Sequence, residues 1–100
     1  MADKQYTEQF HKNFNRAVNQ IMADLELSSL VEVADLIGVH KQSIYRILDF
    51  KQAPTVEQAI TLCLKGNFNA NWMFLNKGEV KMDVQVLMSD IAKALKIKAK

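Results

Sequence analysis

Proline appears once in this chain, at Pro54, glycine three times and cysteine once, at Cys63. Scarce glycine and proline leave few breaks, which argues against a protein built of many short strands and tight turns. One cysteine cannot form an intrachain disulfide, and Cys63 stands inside the apolar run AITLCLKG, where a small buried hydrophobe is the expected role. No apolar stretch approaches the roughly 20 residues that a membrane span requires. The opening MADKQYTEQF lacks the apolar run of a secretory signal, so the expected location is the cytoplasm, with no membrane partner. Large charge imbalance is absent too, the formal net charge being +2.

What is present is helical periodicity in an ordinary globular composition, 49% hydrophobic and 24% charged over 100 residues, enough for one domain over 1–100. Thr7 is the expected N-cap of a first helix carrying the stripe Phe10, Phe14, Val18, Ile21, Met22 and Leu25 and ending near Glu26. SSLVEVADLIG restarts the pattern: Ser29 and Glu32 have the spacing of a capping box, Leu30, Val33, Ala34 and Ile37 face inward, and Gly38 ends the helix in the left-handed conformation. A third helix is expected from Lys41 to Leu48, then a loop closed by Pro54. A fourth follows, with Thr55 and Gln58 as a second capping box and Gly66 as its stop. NFNANWMFLNKGE reads as turn, short helix, turn, anchored by Trp72, Phe74 and Leu75. A last amphipathic stretch carries Val84, Leu87, Met88, Ile91 and Leu95 before the cationic end KIKAK. The fold class expected is all-α.

The short segment ADLIGVHKQSIYRIL is the informative one. Two short helices joined at a glycine, with the small Ala34 where they touch and Ile44 and Ile47 on the inner side of the second, have the requirements of a helix-turn-helix. At about 100° per residue, Gln42, Tyr45, Arg46 and Asp49 lie opposite Ile44, Ile47 and Leu48, with Lys41 and Ser43 at the flanks. Gln pairs with adenine, Arg or Lys with guanine, and Ser with several base edges. Charge distribution agrees in part. Residues 1 to 39 carry three basic and six acidic side chains, whereas residues 40 to 51 carry Lys41, Arg46 and Lys51 against Asp49 alone. The same outer face is also what any solvated helix shows. His40 is most simply a residue near a helix cap, and His11 has no evident partner in the sequence.

Together, Ala34, Gly38, Val39, Ile44 and Ile47 with HKQSIYRIL resemble the phage-repressor-like (Cro/CI-type, lambda-repressor-like) helix-turn-helix DNA-binding domains, whose matching stretch often reads Gly-Val-Ser-Lys-Gln-Thr-Ile-Ser. NANWMFLNKGEV is similar to the Trp-Leu-Leu-Thr-Gly-Glu-Gly ending of many such domains, at the family's usual separation. The resemblance covers about residues 8–80, with the helix-turn-helix unit at 29–48 and a C-terminal helix or tail at 83–100. It implies a compact five-helix domain binding double-stranded operator DNA as a small transcriptional regulator, the helix 41–48 in the major groove. By position it implies Lys41, Gln42, Ser43 and Arg46 as base readers with Tyr45 at the rim, and Ser29, Lys51 and Gln52 as phosphate contacts. Two positions depart from the family pattern: Leu30 stands where a polar glutamine is common, and His40 replaces the usual serine-like cap.

A homodimer on a palindromic site is expected, because one short helix reads few base pairs. Val84, Leu87, Ile91 and Leu95 are candidates for the contact between copies, or else fold back onto their own core. A second reading keeps the fold but gives it a protein partner, in the manner of an antitoxin or antirepressor module, on the strength of Leu30, Tyr45 and Phe50 near the same face. Two histidines, one cysteine and scattered carboxylates show neither metal-ligand spacing nor a nucleophile with its base, so no enzyme activity, metal or cofactor is expected.

Overall fold

The computed structural model describes the backbone of residues 2 to 82 and the side chains of residues 8 to 82. Five α-helices follow in order: α1 (Ala2–Asp24), α2 (Leu30–Ile37), α3 (Lys41–Leu48), α4 (Val56–Gly66) and α5 (Ala70–Leu75). Among the described residues the only extended pairing is an isolated antiparallel bridge between Phe68 and Lys81. The described fold is all-α.

Helix α1 is the axis of the assembly and packs against each of the other four. Phe14, Ala17, Val18 and Ile21 are fully buried along it, and Val33, Ala34, Ile44, Ile47, Ala59, Leu62 and Met73 close around them from the other helices. Both α2 and α3 are eight residues long, too short to persist alone in water. Their inward isoleucines and valines hold them, each fully buried side chain contributing about 1.5–3 kcal/mol.

Several sequence expectations change at the helix ends. Thr7 is not an N-cap; the helix begins at Ala2 and passes through it. Leu25 follows the end of α1 and is half exposed, outside the stripe assigned to it. The Ser29 box is not made. Ser29 is the N-cap of α2 but its side chain makes no cap bond, and the Glu32 carboxylate instead accepts from the Ser28 N–H at 2.6 Å. At α4 the box is complete: the Gln58 N–H donates to the Thr55 hydroxyl at 3.0 Å and the Thr55 N–H to the Gln58 side chain at 2.9 Å. Gly66 is the last residue of α4 rather than its left-handed stop, which is Asn67 (φ 58°). Gly66 is needed for space, since a Cβ there would fall 2.3 Å from the Phe68 ring. On α5, Trp72 and Met73 are buried and Phe74 partly so, while Leu75 is exposed and is not an anchor.

The helix ends share one device. Glu26, Gly38, Phe50, Asn67 and Asn76 all have positive φ, between 54° and 73°. Beside each, a backbone N–H reaches back five or six residues: Leu27 to Met22, Val39 to Ala34, Lys51 to Arg46, Phe68 to Cys63 and Lys77 to Asn71. This is the closure that glycine usually supplies, and here one glycine suffices for five ends.

Candidate nucleic-acid interface

The turn between α2 and α3 is built on Gly38 (φ 73°) and on the buried Ala34, whose carbonyl accepts from the Gly38 and Val39 N–H groups, the latter at 2.8 Å. Glycine is favoured here by its left-handed backbone and not by crowding, since a Cβ at Gly38 would meet no atom within 4 Å. Helix α3 then starts at His40, whose Nδ1 accepts the Gln42 N–H at 3.2 Å. Histidine thus does the work of the serine-like cap, and with Nδ1 as acceptor the ring proton of the neutral form sits on Nε2.

The far end of α3 is held more firmly. The Lys51 N–H donates to the Arg46 carbonyl at 2.8 Å and the Phe50 N–H to the Ile47 carbonyl at 3.1 Å. The same Ile47 carbonyl accepts from His11 Nε2 at 2.7 Å and from Asn15 Nδ2 at 3.3 Å, both side chains buried on α1. Phe50, left-handed at φ 61°, lays its ring 4.5 Å from that of His11. Neither His11 nor Asn15 was a candidate from sequence. Their signal was a set of polar residues inside the buried stretch HKNFNRAV, and it could be read only once the partner helix was placed. Asn13, in the same stretch, does the equivalent for α5, its Nδ2 donating to the Trp72 carbonyl at 2.9 Å.

With its ends secured, α3 presents a two-sided surface. Ile44 and Ile47 are fully buried and Leu48 is partly buried; Lys41, Gln42, Tyr45 and Arg46 are exposed and Ser43 half-exposed. Among the described residues Lys41 and Arg46 enter no ion pair. Lys51 is exposed and lies 3.4 Å from the Asp49 carboxylate, a pairing too solvated to hold either group firmly. Ser29 and Gln52 are half-exposed, and the Ser29 hydroxyl, free of any capping bond, remains available.

The electrostatics are uneven. Lys41, Arg46 and Lys51 are the cations of α3 and its exit, but α2 contributes only Glu32 and Asp35. Positive charge therefore lies along α3 and does not extend over α2. Val84, Leu87, Ile91 and Leu95 fall outside the described residues.

Among the described residues no three His, Cys, Asp or Glu side chains are grouped closely enough to hold a metal ion, and no helix is long and apolar enough to cross a membrane. Cys63 is buried, and that burial pushes its thiol up in pKa, away from nucleophilic use. Comparison with protein-family models, with curated proteins and with solved structures finds no match for this chain.

Proposed function

We propose that this protein is a small transcriptional regulator of the phage-repressor type, binding double-stranded operator DNA sequence-specifically as a homodimer with α3 in the major groove. The observation that carries this reading is the division of α3. Its apolar side packs on the core, Ile44 and Ile47 fully and Leu48 in part, and its outer side offers Lys41, Gln42, Tyr45 and Arg46 without intramolecular side-chain partners. A helix braced at both ends and free along one polar side suits base reading, because the groups that enter the groove need no reorganisation. Lys41, Gln42, Ser43 and Arg46 address base edges, with Tyr45 at the rim. Ser29, Lys51 and Gln52 meet phosphates on either side. Two copies with their α3 helices about 34 Å apart read two half-sites one turn apart.

The test is selection of bound sequences from a random DNA pool. The reading expects a palindromic consensus with half-sites one helical turn apart, bound with a steep salt dependence. Recovery of sequences no different from the input pool would overturn it.

One observation favours a protein partner on the same face. The exposed Tyr45 and Phe50 flank α3, and the acidic Glu32 and Asp35 occupy the helix that should approach the phosphate backbone. Under this second reading the face binds an aromatic-accepting protein surface, and the selection experiment returns no consensus.

A further inference from the structure

The cap at His40 leaves a polar atom unspent. A serine at this place would commit its single side-chain oxygen to the helix. An imidazole has two nitrogens, and the cap takes only Nδ1, which accepts the Gln42 N–H at 3.2 Å. A backbone N–H can only donate, so Nδ1 is unprotonated and Nε2 carries the hydrogen of the neutral ring. The ring is rigid, and turning Nδ1 to the first turn of α3 turns the Nε2–H away from it. His40 is exposed, and among the described residues Nε2 has no partner.

The backbone on either side holds the ring in place. Val39 is buried and donates its N–H to the Ala34 carbonyl at 2.8 Å, while the His40 carbonyl accepts from the Ile44 N–H at 3.1 Å. Between these anchors His40 is extended, at φ −62° and ψ 141°. A donor is thus fixed at the leading end of α3, one residue ahead of Lys41, before any ligand arrives. Such a group needs little ordering when it binds.

We infer that His40 is a further base-reading residue, its Nε2–H donating to an acceptor on a base edge in the major groove. The inference rests on the DNA reading proposed above and adds to it a residue and a rule of recognition. The N-terminal end of a recognition helix is the part that meets base edges, so the donor stands among the readers. The cap also fixes what it can read. Cytosine offers only an amine donor in the major groove, which a donor cannot engage. Guanine offers O6 and N7, both acceptors, side by side. The base opposite His40 is therefore guanine, with cytosine rejected.

Two measurements on the full-length protein test this. The first needs no DNA. In the side-chain nitrogen NMR spectrum of the neutral imidazoles, assigned by the signals that His40→Ser removes, His40 should carry its proton on Nε2. The opposite tautomer would overturn the inference whether or not the protein binds DNA. The second uses His40→Ser, which keeps a capping oxygen but is too short to replace the ring, so its unfolding midpoint should match the parent's. Sequences selected by the parent should hold guanine at one position of each half-site, and cytosine there should weaken parent binding about tenfold. The same change should matter little to His40→Ser. An equal penalty in both proteins, or a consensus with no position that depends on His40, would remove this inference and leave the DNA reading standing. Weakening of every sequence alike by His40→Ser would give the donor to a phosphate and also defeat it. Selection of no sequence at all would defeat the DNA reading and this inference together.

Discussion

His11 and Ile47, thirty-six positions apart, are joined by a buried hydrogen bond of 2.7 Å from the imidazole Nε2 to the backbone carbonyl. A carbonyl can only accept, so Nε2 carries the proton. The bond ties the long first helix to the last turn of α3, at a carbonyl that also accepts from Asn15 Nδ2 and the Phe50 N–H. Orientation of the candidate reading helix therefore depends on a side chain that lies on the opposite side of it from any ligand.

Replacing that side chain should be costly twice over. His11→Ala removes the shortest bond to the Ile47 carbonyl and the ring that Phe50 rests on, so unfolding stability should fall by about 1–3 kcal/mol. Asn15 Nδ2 remains at 3.3 Å from the same oxygen, and the two substitutions should couple in a double-mutant cycle rather than add. Denaturant midpoints of the four proteins, at constant slope, measure both effects.

The left-handed helix ends give a prediction of opposite sign. Glu26 is exposed and held at φ 54° with no side-chain partner among the described residues. A non-glycine residue in that conformation costs about 1–2 kcal/mol, while glycine in its place costs about 0.5–1 kcal/mol of extra chain entropy. Glu26→Gly should therefore stabilise the fold by up to about 1 kcal/mol, seen as a higher midpoint in thermal or chemical unfolding. A loss of stability would show that the Glu26 side chain makes a contribution of its own.

Those ends also show where sequence reading reaches its limit. Gly38 was legible because glycine after an apolar-periodic run has one common use, and Thr55 with Gln58 was legible because both partners lie within one turn. The span of α3 followed from its two faces. Glu26 and Phe50 carried no such mark, since nothing local forces glutamate or phenylalanine into a left-handed turn; the tertiary contacts do. The Leu25 and Leu75 errors have the same source. Helical spacing places a residue on a face, but whether another element covers that face depends on the packing of distant segments. Of the candidate site, the exposed outer side was readable, whereas its bracing by His11 and Asn15 was not, because the partners lie 36 and 32 residues away.

Acid should loosen the contact between the end of α1 and the segment after α5. The Asp24 carboxyl is held below its ordinary value of 3.8, first by its hydrogen bond to the Lys81 ammonium and then by that from the Gln20 amide, against a smaller opposing effect of desolvation. A carboxyl with a lowered folded pKa stabilises the fold above its unfolded value, and that contribution disappears as the pH drops from 3.8 through the lower folded value. The pair is about a third exposed, so water screens much of it. Lys81→Ala should lower stability at neutral pH and flatten its decline below about pH 4. Parallel curves for the two proteins would show that the pair does not govern the acid response.

The phosphate side of the proposed interface can be probed through the Asp49–Lys51 pair. If α3 enters the groove, its last turn and the residues after it approach a phosphate strand, and the exposed Asp49 carboxylate, 3.4 Å from Lys51, offsets part of that lysine's attraction and repels the backbone. Asp49→Asn should then strengthen binding to all DNA sequences alike, most at low salt, where the charge is least screened. Lys51→Ala should weaken all sequences alike and reduce the salt slope by about one. Arg46→Ala should behave differently, costing about 1–3 kcal/mol on the selected operator and relaxing preference at one base pair, because it removes a base contact rather than a charge on the rim. Titrations of the three variants against the selected operator and a scrambled duplex, at two salt concentrations, separate these patterns. Asp49→Asn and Lys51→Ala leaving the scrambled duplex unaffected would mean that the end of α3 does not meet phosphate, and the groove assignment would fail with it.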